Sequence, residues 1–108
     1  MDIPERKDLR GANLQGVDLI ETNLQGANLQ GAKLEEANLK KATFQLANLH
    51  LANFKEANLQ EADLTEANLQ GARNLSLYQL SKVKTLHDTK LDEELLIQLK
   101  KKYPTLFE

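Results

Sequence analysis

The chain has 108 residues, enough for one domain, and its interior must be mainly aliphatic because aromatic residues make up only 5% and Trp is absent. Its 14 basic and 16 acidic residues leave a net charge of -2, which favours neither a nucleic-acid-binding protein nor an acidic tail. The lack of Cys excludes disulfides, thiolate metal sites and thiol nucleophiles. The charged start and the absence of any run near the ~20 apolar residues of a membrane span predict a cytoplasmic protein without membrane contact.

After a short lead-in at residues 1–6, a period of five residues runs through residues 7–71. A large apolar residue stands at the central position of every pentad, a small residue stands two places before it, and Asn or Asp mostly stands between them. The exceptions to this pattern are Lys7, Lys33 and Thr43. The thirteen central residues are Leu9, Leu14, Leu19, Leu24, Leu29, Leu34, Leu39, Phe44, Leu49, Phe54, Leu59, Leu64 and Leu69. Such an unbroken register indicates a repeat architecture.

A five-residue period fits neither a helix nor a straight strand. In a helix, successive central residues would step by ~140° and reach every face. In a strand, an odd period would send successive pentads to opposite faces. The chain must therefore bend once per pentad into a solenoid. All five Gly residues stand at the last position of a pentad, where a turn can require positive φ.

The sequence Ala-Asn-Leu-Gln-Gly at 12–16, 27–31 and 67–71 resembles the pentapeptide-repeat family. This resemblance implies an all-β solenoid, a right-handed quadrilateral β-helix with four pentads per coil. It also implies that the small and the central residues point inward and that the Asn or Asp is bonded to the backbone near each corner. Thirteen pentads would make about three coils, stacked ~4.8 Å apart. The final Lys-Tyr-Pro-Thr-Leu-Phe-Glu resembles the tails of cyanobacterial members.

Two expectations concern stability. The inward positions should be fully buried, so that a charge at Ala47 would unfold the solenoid. The outward replacement Gln45→Glu should change the free energy of unfolding by less than ~0.5 kcal/mol. Few residues precede the first pentad, so the N-terminal end should be partly open, and we expect a monomer or a weak homodimer.

Residues 72–108 leave the register and predict a C-terminal α-helical cap. Ser76 is a suitable N-cap for a first helix that reaches about Val83. A second helix should run from Asp92 or Glu93 to about Lys102, because acids begin it, lysines end it and Pro104 follows. Terminal capping is the general way to cover the open end of a solenoid.

The sequence predicts no enzyme, no cofactor and no metal site. His50 and His87 are the only histidines, and a short rod of regular corners offers no cleft around them. The Gly spacing resembles a phosphate loop only because the repeat has a period of five; the required Lys is missing after Gly16 and Gly31. The carboxylates lie on open faces without a reason for a shifted pKa.

Two functions remain open at the sequence level. The first is a non-enzymatic scaffold that binds an unidentified protein partner, without direct nucleic acid binding. The second, implied by the family resemblance, is a DNA mimic that modulates gyrase or a related topoisomerase. A mimic ~15 Å long would need about nine negative charges, whereas residues 1–71 carry eleven acids and seven bases. The charge therefore favours the scaffold.

The candidate interaction surface is the side of the solenoid between Leu46 and Leu51, which are large apolar residues at outward positions. They flank His50. A twenty-residue coil would place Gln30 and Gln70 on either side of His50. Ile20 is a third outward apolar residue and should lie on another side.

Overall fold

The computed structural model describes residues 7–108, so the predicted lead-in at 1–6 lies outside the described residues. Parallel bridges join residues twenty apart, beginning with Asp8 to Asn28 and continuing through Asn53 to Arg73. Within residues 7–108 these pairings are isolated bridges, and no continuous strand is present. The chain therefore coils with a repeat of twenty residues, and each coil pairs with the next through single bridges between turns.

Each pentad ends in a tight turn closed by two kinds of hydrogen bond. The Ala12 N–H donates to the Leu9 carbonyl at 3.0 Å, and the same bond recurs along the repeat. The side chain of the Asn or Asp then accepts the N–H two residues later, as Asn13 does from Gln15 at 3.2 Å. Other Asn or Asp residues that make this bond are Asp8, Asp18, Asn23, Asn28, Asn38, Asn48, Asn53, Asn58, Asp63 and Asn68. The expected bond between this side chain and the corner backbone is confirmed.

The corner residue has positive φ in every pentad. The five glycines have φ between 64° and 72°, which glycine adopts without steric cost. Eight other corners hold side chains at φ between 56° and 62°: Glu21, Glu36, Lys41, Leu46, Leu51, Glu56, Glu61 and Glu66. The corner is the third residue of each four-residue turn, where a type II turn requires positive φ. Each of these eight corners carries a local strain of about 1–2 kcal/mol.

The core is a column of aliphatic side chains with two phenylalanines. Phe44 and Phe54 are completely buried among the central leucines, and the small residues of the second and third coils are buried beside them. The expectation that all inward positions are buried is wrong for the first coil. Val17 is 37% exposed, whereas Ala37, its neighbour in the second coil, is 1% exposed. The first coil packs against a described neighbour on one side only.

The parallel pairing continues beyond the predicted end of the repeat at residue 71. Thr85 pairs with Asp63 and Lys90 pairs with Asn68, a spacing of twenty-two rather than twenty residues. The intervening helix lengthens this part of the coil by two residues. After each bridge a leucine, Leu86 or Leu91, takes the inward position. The C-terminal segment therefore combines helices with a partial coil.

Two α-helices lie in this segment, α1 (Leu77–Ser81) and α2 (Glu93–Lys102), followed by a 3₁₀ helix at Pro104–Phe107. The predicted N-cap is confirmed, because Ser76 and Gln79 form a reciprocal capping box at the start of α1. The first helix ends at Ser81, two residues before the predicted end. Helix α2 has the predicted bounds and buries Leu99. No helix among residues 7–108 is long and apolar enough to cross a membrane.

Candidate interaction surface

The residues singled out by the sequence form a surface that we call the neutral face: Leu46, His50, Leu51, Gln30 and Gln70. Leu46 is 54% exposed and Leu51 is 46% exposed. Both leucines are corner residues with φ of 61° and 62°. The tight turn after each pentad forces this conformation on whatever residue occupies the corner. The sequence therefore exposes two aliphatic side chains where glycine would relieve the strain.

His50 is the central residue of this surface and is held by the next coil. Its backbone N–H donates to the Asn48 side-chain oxygen at 3.0 Å, the usual corner bond. Its Nδ1 lies 2.7 Å from the Gln70 carbonyl oxygen, which can only accept, so Nδ1 carries the proton in this contact. The Gly31 N–H donates to the His50 carbonyl at 2.9 Å. The structure thus brings His50 between the coils of Gln30 and Gln70.

Leu51 lies over a glycine of the next coil. A Cβ placed on Gly71 would come within 3.1 Å of Leu51 Cδ2 and 3.3 Å of His50 Cε1, whereas a Cβ on Gly31 would meet no atom within 4 Å. The Gly71 N–H is bound by both Asp92 carboxylate oxygens, at 3.0 and 3.2 Å. The side chains of Leu51 and His50 therefore lie toward the C-terminal coil and leave the space around Gly31 open.

Two carboxylates outside the neutral face, Asp8 and Asp63, are held by neighbouring groups. Asp8 and Arg10 form an exposed ion pair at 2.8 Å. The hydrogen bond from the Arg10 side chain lowers the Asp8 pKa to about 2. For Asp63, burial raises the pKa, but hydrogen bonds from Thr65 and Gln45 and the charge of Lys84 outweigh burial and leave it below its ordinary value. These carboxylates are ionised at neutral pH, so neither is a general acid.

The contact from Gln45 changes one expectation from the sequence. Its side-chain amide donates to Asp63 Oδ2 at 2.8 Å, and Asp63 is buried. A glutamate at position 45 would put a second carboxylate beside this one. This hydrogen bond removes the premise of the expectation that Gln45→Glu is neutral, because the outward position is paired with the next coil.

The described residues offer little for catalysis. Among residues 7–108 there is no group of three His, Asp or Glu side chains that could hold a metal ion. His87 Nε2 lies 3.1 Å from Asp88 Oδ2, but both side chains are largely exposed. The surface concavities are open to solvent; one of about 240 Å³ lies beside Lys7 and Asp8, and one of about 470 Å³ lies beside Tyr78, Gln79 and Lys82.

Two exposed apolar side chains were missed at the sequence level, Tyr78 in α1 and Ile97 in α2. The signal for Ile97 was present, because it lies about 200° around the helix from the inward-facing Leu99. Tyr78 has no comparable signal in a helix of five residues. Its ring lies 5.3 Å from the Lys82 ammonium group, within the distance of a cation–π contact.

Comparison with known proteins agrees with the coil geometry. The family model of the pentapeptide repeats matches eight copies, over residues 8–40 and 32–71. The chain belongs to the pentapeptide-repeat family. It is accordingly a right-handed β-helix solenoid. A search of curated proteins gives no match.

Several solved structures resemble this member of the family. A pentapeptide repeat protein from the thylakoid lumen of Arabidopsis thaliana shares 28% identity over 88% of this chain and 75% of its own, with a TM-score of 0.49. A pentapeptide repeat protein from the cyanobacterium Cyanothece 51142 shares 33% identity over 82% of this chain and 58% of its own, with a TM-score of 0.41. QnrB1, a plasmid-mediated fluoroquinolone resistance protein, shares 20% identity over 90% of this chain and 44% of its own, with a TM-score of 0.43. The chain thus spans between 44% and 75% of these three proteins.

Proposed function

We propose that this pentapeptide-repeat protein is a non-enzymatic scaffold that binds another protein through the neutral face. Its architecture would be a quadrilateral solenoid of about three coils at residues 7–71, closed by the C-terminal helical segment at 72–108. Four turns in every twenty residues support the four sides. The concavities are open to solvent and most titratable groups are exposed, which favours binding over catalysis.

The observation that carries this proposal is the pair of exposed leucines at strained corners. Glycine occupies five of the thirteen corners and charged residues occupy six, so Leu46 and Leu51 alone add apolar surface there. The strain of about 1–2 kcal/mol at each would be relieved by glycine. Residues that are unfavourable for folding and for solvation are candidates for function. The side between them carries Asn48 and His50 but no charged residue, which suits an apolar partner surface with hydrogen-bonding groups.

The test is the double variant Leu46→Gly/Leu51→Gly. Glycine removes both apolar side chains and fits the positive φ, so the variant should fold at least as stably as the wild type. Immobilised wild-type protein should retain a partner from an extract of the native host, and the variant should lose it. Unchanged retention, with the melting temperature of the variant maintained, would exclude the neutral face.

A matched control separates the side chains from the corners themselves. The double variant Glu56→Gly/Glu61→Gly changes two corners of the same kind elsewhere on the solenoid and should retain the partner. A gyrase supercoiling assay distinguishes the alternative function. A scaffold of this kind should leave supercoiling unchanged, whereas inhibition or protection at micromolar protein would favour the DNA mimic.

A further inference from the structure

The first coil, at residues 7–26, pairs with a described coil on one side only. In the second coil the N–H groups of Asn28 and Lys33 donate to the Lys7 and Ala12 carbonyls, at 2.9 and 2.8 Å. The equivalent N–H groups of the first coil find no backbone acceptor within residues 7–108; they belong to Asp8, Asn13, Asp18 and Asn23. An unpaired edge of this kind is a template for pairing with another chain.

Apolar groups are exposed at the same edge. Val17 and Ile20 are 37% and 41% exposed, and the central leucines Leu9, Leu14 and Leu19 are only partly buried. In the second coil the central leucines are fully buried. Among residues 7–108, this edge therefore lacks both the hydrogen bonds and the apolar cover that one more layer would supply.

The opposite end of the solenoid is covered. Leu80 of α1, Leu86 of the partial coil and Leu99 of α2 are all fully buried against the last coil. Because this end presents no open edge, an N-terminal end cannot stack on the C-terminal end of another copy to build a filament. Two N-terminal ends can meet, and a two-fold axis then closes the assembly as a dimer.

Charge selects one arrangement of that dimer. In the four-sided coil proposed above, the side at residues 7–11 lies opposite the side at 17–21. The first of these carries Lys7 and the ion pair of Asp8 with Arg10, a net charge of +1, and the second carries Asp18 and Glu21, a net charge of -2. The two remaining sides, at 12–16 and 22–26, hold no charged residue. A two-fold axis through these neutral sides places the basic side of each copy on the acidic side of the other.

The same axis gives an allowed β pairing. It reverses the chain direction, so the two first coils meet antiparallel. When Leu9 opposes Leu19 of the second copy, Arg10 opposes Asp18, and the leucines at position 14 of the two copies meet. The inward side chains then extend the core across the junction, and each opposite-charge pair occurs twice. We propose that the first coil is a homodimerisation surface that pairs two copies end to end in this register.

The experiment uses the full 108-residue chain and two charge reversals, Arg10→Asp and Asp18→Arg. Molar mass is measured by light scattering and sedimentation over about a hundredfold range of protein concentration. The wild type should dimerise with increasing concentration. Each variant should raise the dimer Kd at least about tenfold, because like charges then meet at both pairs. An equimolar mixture of the two variants should recover the dimer, since both pairs are again of opposite charge.

Controls separate pairing from folding and from other occupants of the end. Asp18→Asn keeps the side-chain oxygen that accepts the Ile20 N–H and should weaken the dimer less than Asp18→Arg. Leu46→Gly/Leu51→Gly should leave the dimer unchanged, so failure of the proposed partner site is distinguishable from failure of this one. A wild type that stays monomeric overturns the proposal. A dimer that forms only after deletion of residues 2–6 also overturns it, because that segment would then occupy the edge of the first coil in place of a second copy. Variants that dimerise like the wild type, or a mixture that stays monomeric, exclude this interface.

Discussion

The first and second coils have nearly the same repeat pattern and very different burial. Val17 and Ala37 occupy the same inward column, yet the first is exposed and the second is enclosed. The same contrast separates the partly buried Leu14 from the fully buried Leu34. A pentad therefore does not bury its own side chains, because most of the contact comes from the coils above and below it. Position in the stack decides what each residue contributes.

The largest change should come from making the C-terminal end as open as the N-terminal one. Truncation after Ala72 removes Leu80, Leu86 and Leu99, which are fully buried, and exposes the last coil. We expect the truncated chain to aggregate or to lose its cooperative melting transition. Light scattering measures the aggregation, and circular dichroism measures the melting.

A graded form of this experiment uses two positions of α2. Leu99→Ala should cost about 2–5 kcal/mol of unfolding free energy because the side chain is completely buried. Ile97→Ala, on the exposed face of the same helix, should cost less than about 0.5 kcal/mol. A monomeric truncated chain with the melting temperature of the full chain would show that the helical segment is not a structural cover.

The second prediction compares one substitution in two coils. Ala37→Glu would bury a carboxylate without a partner in the second coil and should cost roughly 3–5 kcal/mol. Val17→Glu puts the same group at a position open to water and should cost about 1 kcal/mol or less at concentrations where the chain is monomeric. Urea denaturation of both variants measures the difference. Equal losses would contradict the conclusion that stacking, rather than the pentad, determines burial.

The third prediction concerns Asp63, a buried carboxylate that accepts a hydrogen bond from Gln45 of the preceding coil. The lowered pKa of Asp63 means that its stabilising contribution is complete above the unfolded pKa of about 3.9 and is lost as pH falls through the lower folded pKa. Gln45→Glu replaces a donor to Asp63 by a carboxylate and should cost about 1–2 kcal/mol at pH 7. Because one of the two carboxylates binds a proton more readily, this cost should shrink toward pH 4.

Thermal unfolding of the wild type and of Gln45→Glu between pH 4 and pH 7 tests this sign. Gln25→Glu is the matched control, since Gln25 holds the same repeat position in the first coil, is exposed and stacks on Gln45 rather than on a carboxylate. It should change stability by less than about 0.5 kcal/mol at either pH. A pH-independent cost in the Gln45 variant would indicate lost packing rather than repulsion between carboxylates.

The sequence predicted the features that depend on a single pentad. The turns, the positive φ at each glycine and the bonds from Asn or Asp to the backbone follow from local chemistry, as do the N-cap at Ser76 and the bounds of α2. Some features that depend on the neighbouring coil were missed, although the placement of His50 between Gln30 and Gln70 was predicted. The contact from Gln45 to Asp63 and the bridges at Thr85 and Lys90 join residues eighteen to twenty-two positions apart. The bridges at Thr85 and Lys90 were not predicted because helix α1 interrupts the repeat and changes the spacing between paired residues from twenty to twenty-two.

The smallest expected effect should also be the one that does not depend on position in the stack. Corner strain is a property of a single residue, so Glu21→Gly in the first coil and Glu56→Gly in the third should relieve it equally; their φ angles are both 58°. Relief of the left-handed conformation is worth about 1–2 kcal/mol, and the greater entropy of glycine in the unfolded chain offsets about 0.5–1 kcal/mol of it. Each variant should therefore gain about 0.5 kcal/mol in urea denaturation at concentrations where the chain is monomeric, and the double variant should gain their sum because the sites share no contact. A gain in one coil only would mean that these glutamates make compensating contacts with neighbouring coils, and the distinction between local turns and shared burial would then fail at the corners.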